Sequence, residues 1–274
     1  MNVKAALVLA FASLAASPAL AIDNYTIPET VDQSAVSVVD RPVDIIGIEA
    51  GMSASDALAI LAKDYGGEDK IERFHMKIGT RQVQSQQFDT YYTGGSVLKQ
   101  GMAEVYLVSP AAGNRVFAAR RIVNFKVEEG LPGVDAIKAQ LIEKYGKPSL
   151  VNPHPYAKEH EAFFWYLGGK GECTDQYGVC TTPYDGGPSG GAGGVLGSYD
   201  VAKTEDYEQA LAYGADVVVA ATMRSAYGYP DGVQTLTVSF VDLKLRAKSA
   251  RADYDLVFKK QAEFDGKAVA MPKL

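Results

Sequence analysis

The sequence predicts an α+β fold of two tandem modules, each a helix packed on an antiparallel sheet, with a loop insertion in the second. Three observations carry this. First, "GMSASDALAILAKDYG" (51–66) and "GLPGVDAIKAQLIEKYG" (130–146) share one pattern: a glycine, a helix start with an early aspartate, an apolar face and a Tyr-Gly stop. Gly51 to Asp56 and Gly130 to Asp135 are equally spaced, and the second copy carries one extra residue before its Tyr-Gly end. Second, each helix is followed by strand-like runs. Third, the second copy is longer by a stretch of unusual composition, residues 168–214.

Taken in order, residues 1–21 read as a secretory signal peptide, with Lys4, the apolar core "AALVLAFASLAA" and the small-residue site Ala19-Leu20-Ala21. Residues 22–43 are an extended leader, polar, with Pro28 and Pro42, and strand-like only at "AVSVVD". The first module spans 44–127. Ile45, Ile46 and Ile48 suggest a short strand, Ser53 or Ser55 caps the helix, Leu58, Leu61 and Ala62 share its apolar face, and Gly66 stops it. Strands follow at "IERFHMKIG", "QVQSQQFDTYYTGGS", "MAEVYLVS" and "RVFAARRIVNFKV", with Gly-Gly and "SPAAGN" as turns.

The second module spans 128–274. Pro132 opens its helix and Pro148 forbids continuation past Gly146. Strands follow at "AFFWYLG", "ADVVVAATMRSAY" and "VQTLTVSFVDLKLRA", with "YPDG" as a hairpin turn. In the last run Leu236, Val238 and Phe240 alternate with threonine and serine, then the phase flips to Leu243 and Leu245, which predicts a bulge near Phe240. "SARADYDLVFKKQAEF" predicts a C-terminal helix with Tyr254, Val257, Phe258 and Ala262 on its packed face. "TEDYEQALAYG" suggests a short helix within the insertion.

The formal net charge is −6, and −7 once Lys4 leaves with the signal, which disfavours a nucleic-acid or anionic-membrane partner. "ARR" at 119–121 reads as a solvated strand face. No apolar run after the signal is long enough to cross a bilayer. Cys173 and Cys180 are the only cysteines, and in an oxidising compartment they are expected to form a disulfide that stiffens a short loop.

Motifs for chemistry are sparse. "GGPSGGAGG" lacks the Lys-Ser/Thr ending and the strand-to-helix setting of a phosphate loop, and reads as a linker. The histidines, His75, His154 and His160, do not converge by spacing into a metal or acid–base site. No nucleophile elbow occurs, so no catalytic residue, metal ligand or cofactor is assigned. Asn24-Tyr25-Thr26 fits a glycosylation acceptor, which matters only in a eukaryotic secretory pathway. The aromatics say more. Phe163 and Trp165 alternate on one face and are expected in the core, whereas the loop residues Tyr177, Tyr184, Tyr199, Tyr227 and Tyr229 are candidate binding contacts.

The Gly-Met/Leu starts, the mid-helix leucines and the "KYGKPS" ending resemble the helix-then-sheet modules of the BamE/SmpA-like and β-lactamase-inhibitor-protein-like superfamily. The resemblance implies helices packed on a curved antiparallel sheet, and binding rather than catalysis. In the tandem inhibitor of that superfamily the sheets and loops form a concave surface for an enzyme; single modules act as scaffolds in outer-membrane assembly. The missing lipobox cysteine and the insertion depart from that pattern, and no contact residue carries over. The expectation is a periplasmic or secreted module that binds another envelope or secreted protein, as an inhibitor or assembly factor. A cell-envelope hydrolase or a small-ligand or glycan binder is the alternative.

Overall fold

The computed structural model describes residues 23–29, 36–96, 101–153, 160–170, 211 and 214–268. Residues 1–21, the expected signal peptide, lie outside this set, as do most of the insertion and most of the helix expected at 204–214. In chain order come β1 (Asp23–Tyr25), β2 (Asp44–Ile45), β3 (Ile48–Glu49), α1 (Ala54–Tyr65), β4 (Ile71–Met76), β5 (Val83–Ser85), β6 (Phe88–Ser96), β7 (Gly101–Leu107) and β8 (Val116–Asn124). Then follow α2 (Val134–Tyr145), β9 (Leu150–Pro153), β10 (His160–Leu167), β11 (Val217–Ala226), β12 (Tyr229–Asp242) and α3 (Leu243–Ala268). The fold is α+β. Eight strands form one sheet in the order β4-β6-β7-β8-β12-β11-β10-β9, every pair antiparallel.

The two shorter helices start by different means. Ser53 caps α1 by accepting the Asp56 N–H at 3.1 Å. Gly133, at the head of α2, has no side chain to do so; there Val233 N–H donates to the Pro132 carbonyl at 2.8 Å and ties the start to the sheet. Both helices have twelve residues and bury one stripe, Ala57 and Leu61 on α1 and Ile137, Leu141 and Tyr145 on α2. Those stripes meet Val105, Ala119, Trp165, Val219 and Phe240 in one core on one face of the sheet. Burying an aliphatic side chain such as Leu61 or Leu141 contributes about 1.5–3 kcal/mol.

The other face carries a second core, where α3 supplies Leu245, Ala247 and Ala250 to Ala118, Val218 and Val241. Two sheet faces are therefore dry at this end, and the sequence patterns shift accordingly. Phe163 and Trp165 are core residues as expected; Phe164 and Tyr166 are equally buried on the far side. No bulge occurs at Phe240. It pairs in register with Ala119 and Val219, and the apparent phase flip is the start of α3 at Leu243.

Other local expectations change for similar reasons. Gly94 and Gly95 are strand residues rather than a turn, because the Tyr65 ring lies on them; a Cβ on Gly94 would fall 2.5 Å from Tyr65 Cδ2. The β11–β12 turn is Tyr227-Gly228, closed by the Ala226–Tyr229 pair, so "YPDG" lies in β12 beside a register shift. On α3, Val257 packs inward as expected, but Tyr254 and Phe258 point to solvent and stack on each other at 6.3 Å. "ARR" is not a uniformly solvated face: Arg120 is buried.

The leader is held rather than strand-like at residues 36–40. Ser37 donates from its N–H (2.8 Å) and hydroxyl (2.7 Å) to the Asp242 carboxylate, which also accepts the Leu245 N–H at 2.8 Å as the cap of α3. Asp242 is fully buried. Burial raises its pKa above the usual carboxylate range against the opposing pull of the Leu245 and Ser37 hydrogen bonds. A pKa raised by folding gives stability in acid that is lost as pH rises through the folded value. As pH rises from about 4, the ordinary carboxylate range, through the raised value, the wild-type chain should lose melting temperature relative to Asp242→Asn. A difference that stays flat across that range would contradict this account of Asp242.

Candidate binding groove at the junction of β8 and β12

The central strands meet in a seven-residue pairing that sets Leu236 opposite Val123 and Val238 opposite Arg121. On the helix side these four residues form the floor of a groove with a volume of ≈ 330 Å³. The α2 wall contributes Ile137, Gln140, Leu141, Lys144 and Tyr145. The β2–β3 hairpin closes one end with Asp44, Ile45 and Ile46. The lining is largely aliphatic with a charged rim, the usual composition of a recognition site.

The hairpin hangs from the end of α2. The Asp44 carbonyl accepts from the Tyr145 hydroxyl at 3.1 Å and from Lys144 Nζ at 3.1 Å, and Nζ lies 3.0 Å from Asp44 Oδ2. Lys144 also lies 5.3 Å from the Tyr145 ring centre. Burial, with the Asp44 charge adding to it, holds the Tyr145 hydroxyl neutral by raising its pKa. Trp165 Nε1–H donates to the Gly146 carbonyl at 2.7 Å, so the last turn of α2 is fixed from below as well. Opposite, Arg121 faces Asp64 of α1 at 3.9 Å, too long for a hydrogen bond.

The turn itself is strained. Ile46 (φ 52°) and Gly47 (φ 84°) are both left-handed and join the antiparallel pair Ile45–Ile48, the backbone pattern of a type I′ turn. Asn-Gly is the preferred pair there; a β-branched residue in this region costs about 1–2 kcal/mol. Asp44 Oδ1 steadies the turn by accepting the Gly47 N–H at 3.0 Å.

A second polar feature lies on the opposite face. Glu104 and Arg120, directly paired across β7 and β8, are both buried. Glu104 Oε2 accepts from Arg120 Nε at 2.6 Å and from the Tyr106 hydroxyl at 3.0 Å, and Arg120 Nη2 forms an ion pair with it. Burial first, then the Glu104 charge, raises the Tyr106 pKa. The sequence signal was available: one acid and one base, each inside an apolar strand. Removing one partner strands the other charge.

Of the tyrosines expected to bind, Tyr177, Tyr184 and Tyr199 lie outside the described residues, as do Cys173 and Cys180. Tyr227 is fully exposed and Tyr229 half-exposed at the β11–β12 tip, and neither lines the groove. His75 Nδ1 lies 2.5 Å from Asp89 Oδ1, across the β4–β6 pair. Among the described residues no three His, Cys, Asp or Glu side chains group as a metal site, and no helix is long and apolar enough to cross a membrane. The sequence offered Ile46 as a strand residue and Arg121 as part of a solvated strand face, and gave neither of them, nor Lys144, a binding role. Compared with known proteins, the chain matches no family model, no curated protein and no solved structure.

Arg120→Ala should destabilise the chain by about 3–5 kcal/mol in denaturant unfolding, whereas the double change Glu104→Leu/Arg120→Leu should cost clearly less. If the double variant is as unstable as the sum of the singles, the pair is not held together by mutual charge compensation.

Proposed function

We propose that the chain is an exported protein-binding module, periplasmic or secreted, that acts as an inhibitor or envelope assembly factor. It is built as two tandem units, each one helix and four antiparallel strands, joined at β8 and β12. The groove over that junction holds a segment of another envelope or secreted protein. The groove is the observation that carries this reading: it is aliphatic at its floor, charged at its rim, and furnished by both halves of the sheet.

The tandem reading is supported by matched contacts. The buried positions Ala57, Leu61 and the partly buried Tyr65 recur 80 residues later as Ile137, Leu141 and Tyr145. Val116 N–H donates to the Met52 carbonyl just before α1, and Val233 N–H to the Pro132 carbonyl just before α2. Isolated bridges follow the same plan, Ser53 with Arg115 and Gly133 with Gly232. The strand order places the last strand of each unit at the centre and the first strand of each at an edge. The resemblance to BamE/SmpA-like and inhibitor-protein-like modules belongs to this proposal.

A second reading is a small apolar ligand, favoured by the groove volume, which falls at the low end of the range for small-molecule sites. A hydrolytic reading finds less support: the lining holds one carboxylate, Asp44, and Lys144 engages it.

A photo-cross-linking residue at Gln140, on the groove rim, should join mature protein 22–274 to a discrete protein in envelope extract. The same residue at Tyr227 tests the aromatic tip. No protein adduct from either site, with a small molecule co-purifying instead, would replace the protein-binding reading with the ligand one.

A further inference from the structure

We infer that the groove takes an apolar partner segment bearing a carboxylate, with Arg121 receiving the carboxylate and Ile46 packing on the apolar side chain. This rests on the protein-binding reading above and names the chemistry of the segment.

The two cations of the groove are not equivalent. Lys144 is committed, in contact with the Asp44 carboxylate and carbonyl and set against the Tyr145 ring. Arg121 rises from the floor of the groove, directly across from Val238. Its one ion pair among the described residues is Asp64, at 3.9 Å, and its side chain is 41% exposed. A guanidinium carries five N–H donors in a planar fork that matches a carboxylate bidentately, and such a pair is stronger beside apolar surface than in open water. An incoming carboxylate gains there what Asp64 does not supply. The chain as a whole is acidic, at −6, whereas the groove lining sets Arg121 and Lys144 against the single carboxylate of Asp44, which favours an acidic segment there.

Ile46 adds an independent argument. A turn whose backbone favours Asn-Gly holds isoleucine instead, and its side chain lines the groove. Strain of this kind persists where another demand outweighs it. Ile46 is half-buried against the core beneath the helices and also lines the groove, so it presents an aliphatic surface there.

The test uses three fluorescein-labelled five-residue peptides, identical except that a leucine pair is followed by glutamate, glutamine or lysine. Binding to mature protein 22–274 is read by fluorescence anisotropy at low salt. The glutamate peptide should bind about tenfold more tightly than the glutamine peptide, and the lysine peptide least. Arg121→Gln should erase the glutamate preference, bringing the glutamate and glutamine peptides to equal affinity. Ile46→Asn should weaken all three, and Tyr227→Ala should change none. Circular dichroism checks each fold; if Arg121→Gln does not fold, Arg121→Lys should retain only part of the preference, because it keeps the charge and loses the fork. Equal binding of the glutamate and glutamine peptides, tighter binding of the lysine peptide, or no binding of any peptide overturns the inference. The protein-binding reading would then still stand if Tyr227 cross-links a protein, and fall with it if neither position does.

Discussion

The antiparallel pairing of β8 with β12 is the constraint on which the rest of the structure depends. Seven residues of each strand, Ala118–Asn124 and Thr235–Val241, exchange backbone partners at the middle of the sheet. Without that ladder each half would present a long unpaired edge, which is costly to leave in water and prone to stray association. With it, two separate sets of side chains become one continuous floor. The cores beneath α1 and α2 merge across it, since Leu61, Ala119, Phe240 and Leu141 belong to one cluster. The groove is a direct product of the same pairing, because its floor is two cross-strand pairs of that ladder.

The two faces of the sheet are closed by different means. On one side the pair of twelve-residue helices covers the apolar residues and leaves an opening at the junction. On the other, α3 covers one end, and its start depends on a buried carboxylate capped from the leader by Ser37. Further along that face, charge enters the sheet as the compensated pair Glu104–Arg120. Buried ion pairs of this kind add little net stability but make half of the pair intolerable alone. The helix face is therefore the one with a free apolar opening, and the far face is the one with internal polar ties.

Much of the fold was legible because local chemistry marks it. Ser53 and Gly66 bracket α1, Gly146 and Pro148 end α2, and Phe163 with Trp165 announces a buried strand face. What was hidden was decided by contacts distant in sequence. Leu243 and Leu245 continue an alternating pattern, so the start of α3 reads as strand until Asp242 and Ser37 are seen together. Gly94-Gly95 reads as a turn until Tyr65 is placed on it. The packed side of α3 was misjudged because Asp253, which accepts the Ser109 hydroxyl at 2.5 Å, is buried while Phe258 is not. The groove was hidden for the same reason: Ile46, Arg121, Lys144 and Leu236 are far apart in the chain and share a surface only after β8 meets β12.

The most direct measurement is a methyl-labelled NMR titration of residues 22–274 with the glutamate-bearing peptide. Shift changes should concentrate on Ile45, Ile46, Val123, Ile137, Leu236 and Val238, and leave the methyls of the α3-side core, such as Val218 and Leu245, in place. Changes gathered on the α3-side core, or at the β11–β12 tip with the groove methyls unmoved, would contradict a binding groove at the strand junction.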